Sequence, residues 1–98
     1  MQANIYDWVG QAVAKYEFAA PVLEVGAGNV NGTIRGLFPE PYTGLDIAPG
    51  PGVDMVGDVL TCHFAETFNT IVCCETLEHV TAPWKAVERM SQWLNPGG

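Results

Sequence analysis

The run VLEVGAGNVNG, from Val22 to Gly32, leaves few folds open to this chain. A short apolar segment that ends abruptly in glycines suits a buried parallel strand leading into a tight turn. Gly26 and Gly28 follow the strand directly, and Gly32 opens the next helix. Glycines there permit positive φ and let a ligand approach the backbone closely. A helix amino terminus adds exposed N–H groups and a partial positive charge. Strand, glycine loop and helix in that order point to an α/β fold with a ligand at the carboxyl end of the sheet.

The remaining elements extend that pattern. Ile5, Trp8, Val9, Ala12, Val13 and Tyr16 recur at helical spacing. Asn4 is a candidate cap and Pro21 stops any continuation, so residues 1–20 read as an amino-terminal helix packed on the domain. Ile34, Leu37 and Phe38 mark a short second helix. YTGLDI (Tyr42 to Ile47), VDMVGD (Val53 to Asp58) and FNTIVCCE (Phe68 to Glu75) read as three further strands. Thr81 caps a last helix with Pro83 in its first turn, and Trp84, Val87, Met90 and Leu94 are its expected inner face. Trp8, Trp84 and Trp93 sit at core spacing. Only Ile47 to Gly52, a stretch containing APGPG, separate the second and third strands, too few for the usual crossover helix. Six extended residues still reach roughly 20 Å, enough to run back along a short strand.

Asp46 closes the second strand about 20 residues past the glycines, where an acid meets ribose hydroxyls in dinucleotide-type folds. A carboxylate accepts two hydrogen bonds from a diol, so an adenosine-containing ligand is expected. Two such ligands compete. A nicotinamide cofactor brings a pyrophosphate, and S-adenosylmethionine brings a sulfonium and an ammonium. Glu24 stands just before the glycines, Asp58 follows the third strand and Glu75 follows the fourth. Acids gathered at strand ends favour the cationic ligand, and Asp58 is placed to receive the adenine amino group.

Composition narrows the class. The chain of 98 residues makes one domain, 1–98, with a formal net charge of −7. Its basic residues are Lys15, Arg35, Lys85 and Arg89, with no two adjacent, so nucleic acid is not an expected partner. No apolar run approaches the ~20 residues that span a bilayer. The first residues, MQANIYDWVG, lack signal-peptide character. Cys73 and Cys74 lie in an apolar strand and read as buried free thiols of a cytoplasmic protein. Cys62, His63, Cys73, Cys74 and His79 fit no paired zinc spacing, so no metal site is expected.

At this level of detail the sequence resembles class I S-adenosylmethionine-dependent methyltransferases. VLEVGAGNVNG, GLDIAPGPGVDMVGDV, FNTIVCCETLEHV and LNPGG look like successive motifs of that family over residues 21–98. The closest likeness is to the small-molecule-type branch with an LEH segment after strand four. The resemblance implies a Rossmann-like, mostly parallel sheet with helices on both faces, about four strands of a seven-stranded fold. It implies that Glu24, Gly26, Ala27 and Gly28 lie under the methionine part of the cofactor. Asp46 would bind the ribose diol, with Ile47 packed on the adenine. Asp58 and Val59 would recognise the adenine edge, and Cys74 and Glu75 would lie beside the sulfonium. Asn69 departs from the acid the family commonly has there.

Methyl transfer is an in-line displacement in which the protein mainly supplies proximity and alignment. A general base is needed only where the acceptor must lose a proton. Glu75 and His79 are the candidates, although His79 also reads as a helix-start or packing residue and Glu75 as a cofactor or loop-ordering carboxylate. The acceptor is unidentified, and a small molecule is expected. A non-catalytic S-adenosylmethionine-binding module and a nicotinamide-dependent oxidoreductase half are the alternatives. LNPGG resembles the turn that launches a fifth strand, so the chain reads as a cofactor-binding half. The fourth strand is then expected to present an open edge through which copies could pair.

Overall fold

The structure, a computed structural model, describes residues 3–16, 18–28, 34–73 and 81–98. Four strands form one sheet: β1 (Val22–Val25), β2 (Tyr42–Asp46), β3 (Met55–Val56) and β4 (Thr70–Cys73). Their order is β3-β2-β1-β4, and every pairing is parallel. Helix α1 (Ala3–Lys15) precedes the sheet and helix α2 (Pro83–Trp93) follows β4. The expected α/β architecture with a parallel sheet is therefore present.

Strand alternation divides the core between two faces. Leu23, Val25 and Leu45 point to one face, where they meet Val59, Phe68 and the Ala86, Met90 and Trp93 side chains of α2. Val22 and Tyr42 point to the other, where they meet Val9 of α1, Ile34 and Phe38. The two helices thus cover opposite faces, and β1 is buried on both, as a central parallel strand must be. On the α2 side Phe64 stands edge-on to Phe68 and Trp93, with ring centroids 5.3 and 4.9 Å apart. Edge-to-face contact is a favourable geometry for aromatic pairs.

Several local expectations need correction. Helix α1 begins at Ala3, so Asn4 lies inside it rather than capping it. Trp8 is 66% exposed, and α1 meets the core through Val9 and Val13. Helix α2 starts at Pro83 from Ala82, whose side chain makes no cap hydrogen bond, and Thr81 lies outside it. Its buried stripe is Ala86, Met90 and Trp93; Trp84 and Val87 are 68% and 50% exposed. Between the glycine loop and β2 the described residues hold only a 3₁₀ turn, Arg35–Leu37. Cys73 is half-buried rather than buried.

The third strand shrinks from six expected residues to Met55–Val56 because its first half is used to turn the chain. After Asp46 the backbone folds back over β2. Gly52 has φ of +85°, and Val53 N–H donates to the Gly50 carbonyl at 3.1 Å. The Gly52 carbonyl then lies against Gly44, where a Cβ would also meet Ala27 Cβ at 2.8 Å. Gly44 is therefore required for the short link to cross the strand without a helix.

Asp54 fixes that crossing. Its backbone N–H donates to the Gly44 carbonyl at 2.8 Å, and its Oδ2 accepts the Gly44 N–H at 2.7 Å. The same oxygen accepts from Arg35 Nη1 at 2.8 Å, and Arg35 Nη2 donates to the Tyr42 carbonyl at 2.8 Å. The Gly44 N–H holds the Asp54 carboxyl below its ordinary pKa; burial opposes it, and Arg35 adds to the lowering.

At the other sheet edge, Phe68 forms a parallel bridge with Leu94. Phe68 N–H donates to the Trp93 carbonyl at 2.7 Å and Asn95 N–H to the Phe68 carbonyl at 2.8 Å. The LNPGG segment thus starts alongside the entry to β4, so the edge expected to be open at Phe68 is paired there.

A lowered carboxyl pKa contributes stability above the unfolded value and loses it as pH falls through the folded value. Asp54→Ala is therefore expected to cost about 1 kcal/mol at neutral pH, since the pair is partly solvent-screened. Urea unfolding should show the wild-type advantage shrinking below the ordinary aspartate range. A gap that stayed constant into acid would contradict this role for the carboxylate.

Candidate functional site

Parallel pairing brings the ends of β1, β2 and β3 to one edge of the sheet. Val25 is in register with Leu45, and Asp46 with Val56. The chain then leaves β1 through Gly26, at φ of +83°, a conformation that favours glycine. The Leu45 carbonyl accepts the N–H groups of both Gly26, at 2.8 Å, and Ala27, at 2.9 Å. Ala27 is buried beneath the turn. The glycine loop is thus pinned to the end of β2 before any ligand is considered.

Asp46 completes the link. Gly28 N–H donates to Asp46 Oδ2 at 2.7 Å, and Ala48 N–H donates to Oδ1 at 3.3 Å. A Cβ on Gly28 would stand 2.7 Å from the same Oδ2, so a side chain there would force the carboxylate away. Both Gly28 and Ile47 are solvent-facing, Ile47 with 71% exposure. A carboxylate, an exposed backbone stretch and an exposed apolar side chain therefore share one open edge.

Asp58 lies just beyond β3. Gly57 N–H donates to the Asp46 carbonyl at 2.8 Å, which carries the β2–β3 pairing one step further. Asp58 Oδ1 accepts the Leu60 N–H at 2.9 Å. The Asp58 carbonyl accepts the N–H groups of Thr61 at 3.0 Å and Cys62 at 2.7 Å. This tight turn buries Val59 and Cys62 against α2 and leaves Asp58 half-exposed at the edge. Burial pushes the Cys62 thiol above its ordinary pKa, outweighing the nearby Arg89, so it is a packing residue rather than a nucleophile.

Glu24, which the resemblance sets under the methionine part of the cofactor, is the remaining described acid of the set. It lies within β1 and is only 4% exposed. Tyr42 Oη donates to its Oε1 at 2.7 Å. Burial raises the Glu24 pKa, with the Tyr42 hydrogen bond and Arg35 acting against it. Glu24 thus forms a buried polar pair with Tyr42 two residues before Gly26, and the nearby Asp46 charge adds to the rise in its pKa. Among the described residues, Asp46 and Asp58 are the sequence-predicted acids at the sheet edge. Cys74, Glu75 and His79 lie outside the described residues. Arg35 and Asp54, which hold the β2–β3 link in place, were not expected as contributors; the only sequence signal is that basic residues are so few.

A carboxyl whose folded pKa is raised binds its proton more readily in the folded state. Stability then falls as pH rises from the ordinary glutamate value through the folded value. Glu24→Gln retains an acceptor for Tyr42 and removes the buried charge. The variant is expected to be more stable than the wild type at neutral pH, with the difference vanishing near pH ~3, below the ordinary glutamate pKa. Chemical denaturation across that range checks it; a Glu24→Gln variant less stable at neutral pH would contradict it.

The chain as a whole is similar to known proteins. The family model described as "Methyltransferase domain" matches residues 23–98. The chain is 30% identical over 109 aligned residues to a ubiquinone biosynthesis O-methyltransferase of Erwinia tasmaniensis, covering 94% of this chain and 44% of that protein. A structure of an amino pentose methyltransferase of calicheamicin biosynthesis from Micromonospora echinaspora, bound to S-adenosylmethionine, aligns with a TM-score of 0.73 at 29% identity. That alignment covers 97% of this chain and 47% of the other. The chain spans about half the length of these relatives. With three quarters of its residues inside the family model, the chain belongs to the methyltransferase-domain family.

Proposed function

We propose that this chain carries the S-adenosylmethionine site of a methyltransferase that acts on a small-molecule acceptor. The observation that carries the reading is the Asp46 carboxylate held by the Gly28 and Ala48 N–H groups at an open sheet edge. A carboxylate so fixed presents acceptors to a vicinal diol without having to be ordered by the ligand. Asp46 would take the ribose hydroxyls, Ile47 would cover one face of the adenine, and Asp58 with Val59 would meet its edge. Gly26, Ala27 and Gly28 would lie along the amino-acid portion of the cofactor.

The charge balance supports this ligand over a pyrophosphate-containing one. Asp46 and Asp58 flank the edge, while Arg35 is committed to Asp54 and the Tyr42 carbonyl. When bound, the cofactor supplies the electrophilic methyl group. The chain's residues fix the cofactor's orientation and present its methyl toward the acceptor, which is the proximity term of catalysis. Where the acceptor is a hydroxyl or an ammonium, a proton must also leave, and Glu75 and His79 are our candidates for taking it. The relatives named above are an O-methyltransferase and an amino pentose methyltransferase, so hydroxyl and amino groups of small molecules are the acceptors we favour.

Calorimetric titration with S-adenosylmethionine and with NAD tests the cofactor assignment. S-adenosylmethionine is expected to bind and NAD to give no heat. Asp46→Ala removes charge-assisted hydrogen bonds and should weaken binding about tenfold or more. Gly28→Ala, which displaces the carboxylate, should weaken it in the same direction. Binding of NAD in preference to S-adenosylmethionine would overturn the reading.

A further inference from the structure

The turn that follows β3 is tied to the molecule by a residue far from it in sequence. Within the turn, the N–H groups of Leu60, Thr61 and Cys62 are all spent on Asp58. The carbonyls of Val59 and Cys62 are left facing α2, and both residues are buried. Buried carbonyls need donors. Arg89, half-buried on α2, supplies them. Its Nε donates to the Val59 carbonyl at 2.8 Å, and its Nη2 donates to the Cys62 carbonyl. The guanidinium also lies over the ring of Trp93, 5.3 Å from its centroid. Trp93 is itself locked in the core against Phe64.

We propose that Arg89 is a positioning residue for adenine recognition and sets how strictly the site separates a 6-amino purine from a 6-oxo purine. The inference rests on the cofactor reading above. A planar guanidinium offers several donors in a fixed fork, so two bonds to carbonyls three residues apart fix both the height and the tilt of the turn. The turn carries Asp58 and Val59, whose carboxylate and backbone would face the purine edge. An adenine presents an amino donor at C6 and an acceptor at N1. A hypoxanthine reverses both, with an oxygen at C6 and a proton on N1. Discrimination between them depends on how rigidly the acceptor and donor of the turn are held, because a turn that can yield accommodates either pattern.

The geometry is specific to arginine. Among the described residues Arg89 makes no ion pair, so its charge is used on the backbone of this turn. Lysine carries a point charge that can reach one of the two carbonyls but cannot fork between them. Methionine keeps the apolar stem beside Trp93 and loses both bonds.

Titration of the chain with S-adenosylhomocysteine and with S-inosylhomocysteine tests the proposal, alongside thermal melts of each variant. The wild type is expected to favour the adenosyl ligand by about tenfold or more. That ratio should fall about threefold or more in Arg89→Met, with Arg89→Lys intermediate, in protein that is folded at the titration temperature. If Arg89→Met does not fold, the lysine variant still decides the matter by its ratio. A ratio that stays at the wild-type value while the melting temperature drops would show that Arg89 only glues α2 to the sheet, and the proposal would be wrong. Wild-type protein that binds neither ligand would instead remove the cofactor reading itself.

Discussion

The contact between the Asp46 carboxylate and the Gly28 N–H is the constraint around which the sheet edge is arranged. It exists only because β1 and β2 are adjacent and parallel, so that the loop leaving one meets the acid ending the other. It also requires that position 28 carry no Cβ. Leu45 anchors the loop from below by accepting two consecutive N–H groups. The carboxylate is therefore oriented by backbone donors on two sides, which lowers the entropy still to be lost when a diol binds.

Keeping that edge clear depends on what happens beside it. A crossover helix between β2 and β3 is replaced by a glycine-rich return that passes over Gly44 and is stapled by Asp54. Arg35 extends the staple to the segment that follows the glycine loop. Arg89 does the equivalent for the turn after β3 from the other face of the sheet. In a chain with 4 basic residues, two are thus used to hold loops by bonding main-chain carbonyls rather than to face solvent or ligand. Within the sheet the buried Glu24 accepts a hydrogen bond from Tyr42 on the neighbouring strand.

The sheet was legible because VLEV and YTGLD are short and bounded by proline on entry and by glycine or an acid on exit, while TIVC is a short apolar run. The positions of Asp46 and Asp58 followed from those boundaries. The helix faces were less legible. In α2 two stripes at helical spacing compete, and the aromatic Trp84 suggested the wrong one, whereas the buried stripe includes the small Ala86. Hydrophobic size does not signal burial when a small residue is what close packing against a sheet requires. The partner of Glu24 was not legible, because Tyr42 lies 18 residues away and is brought near only by strand pairing. The backbone roles of Arg35, Asp54 and Arg89 carry no local pattern and become visible only in three dimensions.

Crystallographic analysis of the chain with S-adenosylhomocysteine tests the central claim most directly. The account predicts ribose hydroxyls within hydrogen-bond distance of Asp46, with the adenine between Ile47 and the Asp58–Val59 turn. Ligand density away from the β1–β3 edge, or a ribose held by residues other than Asp46, would contradict it.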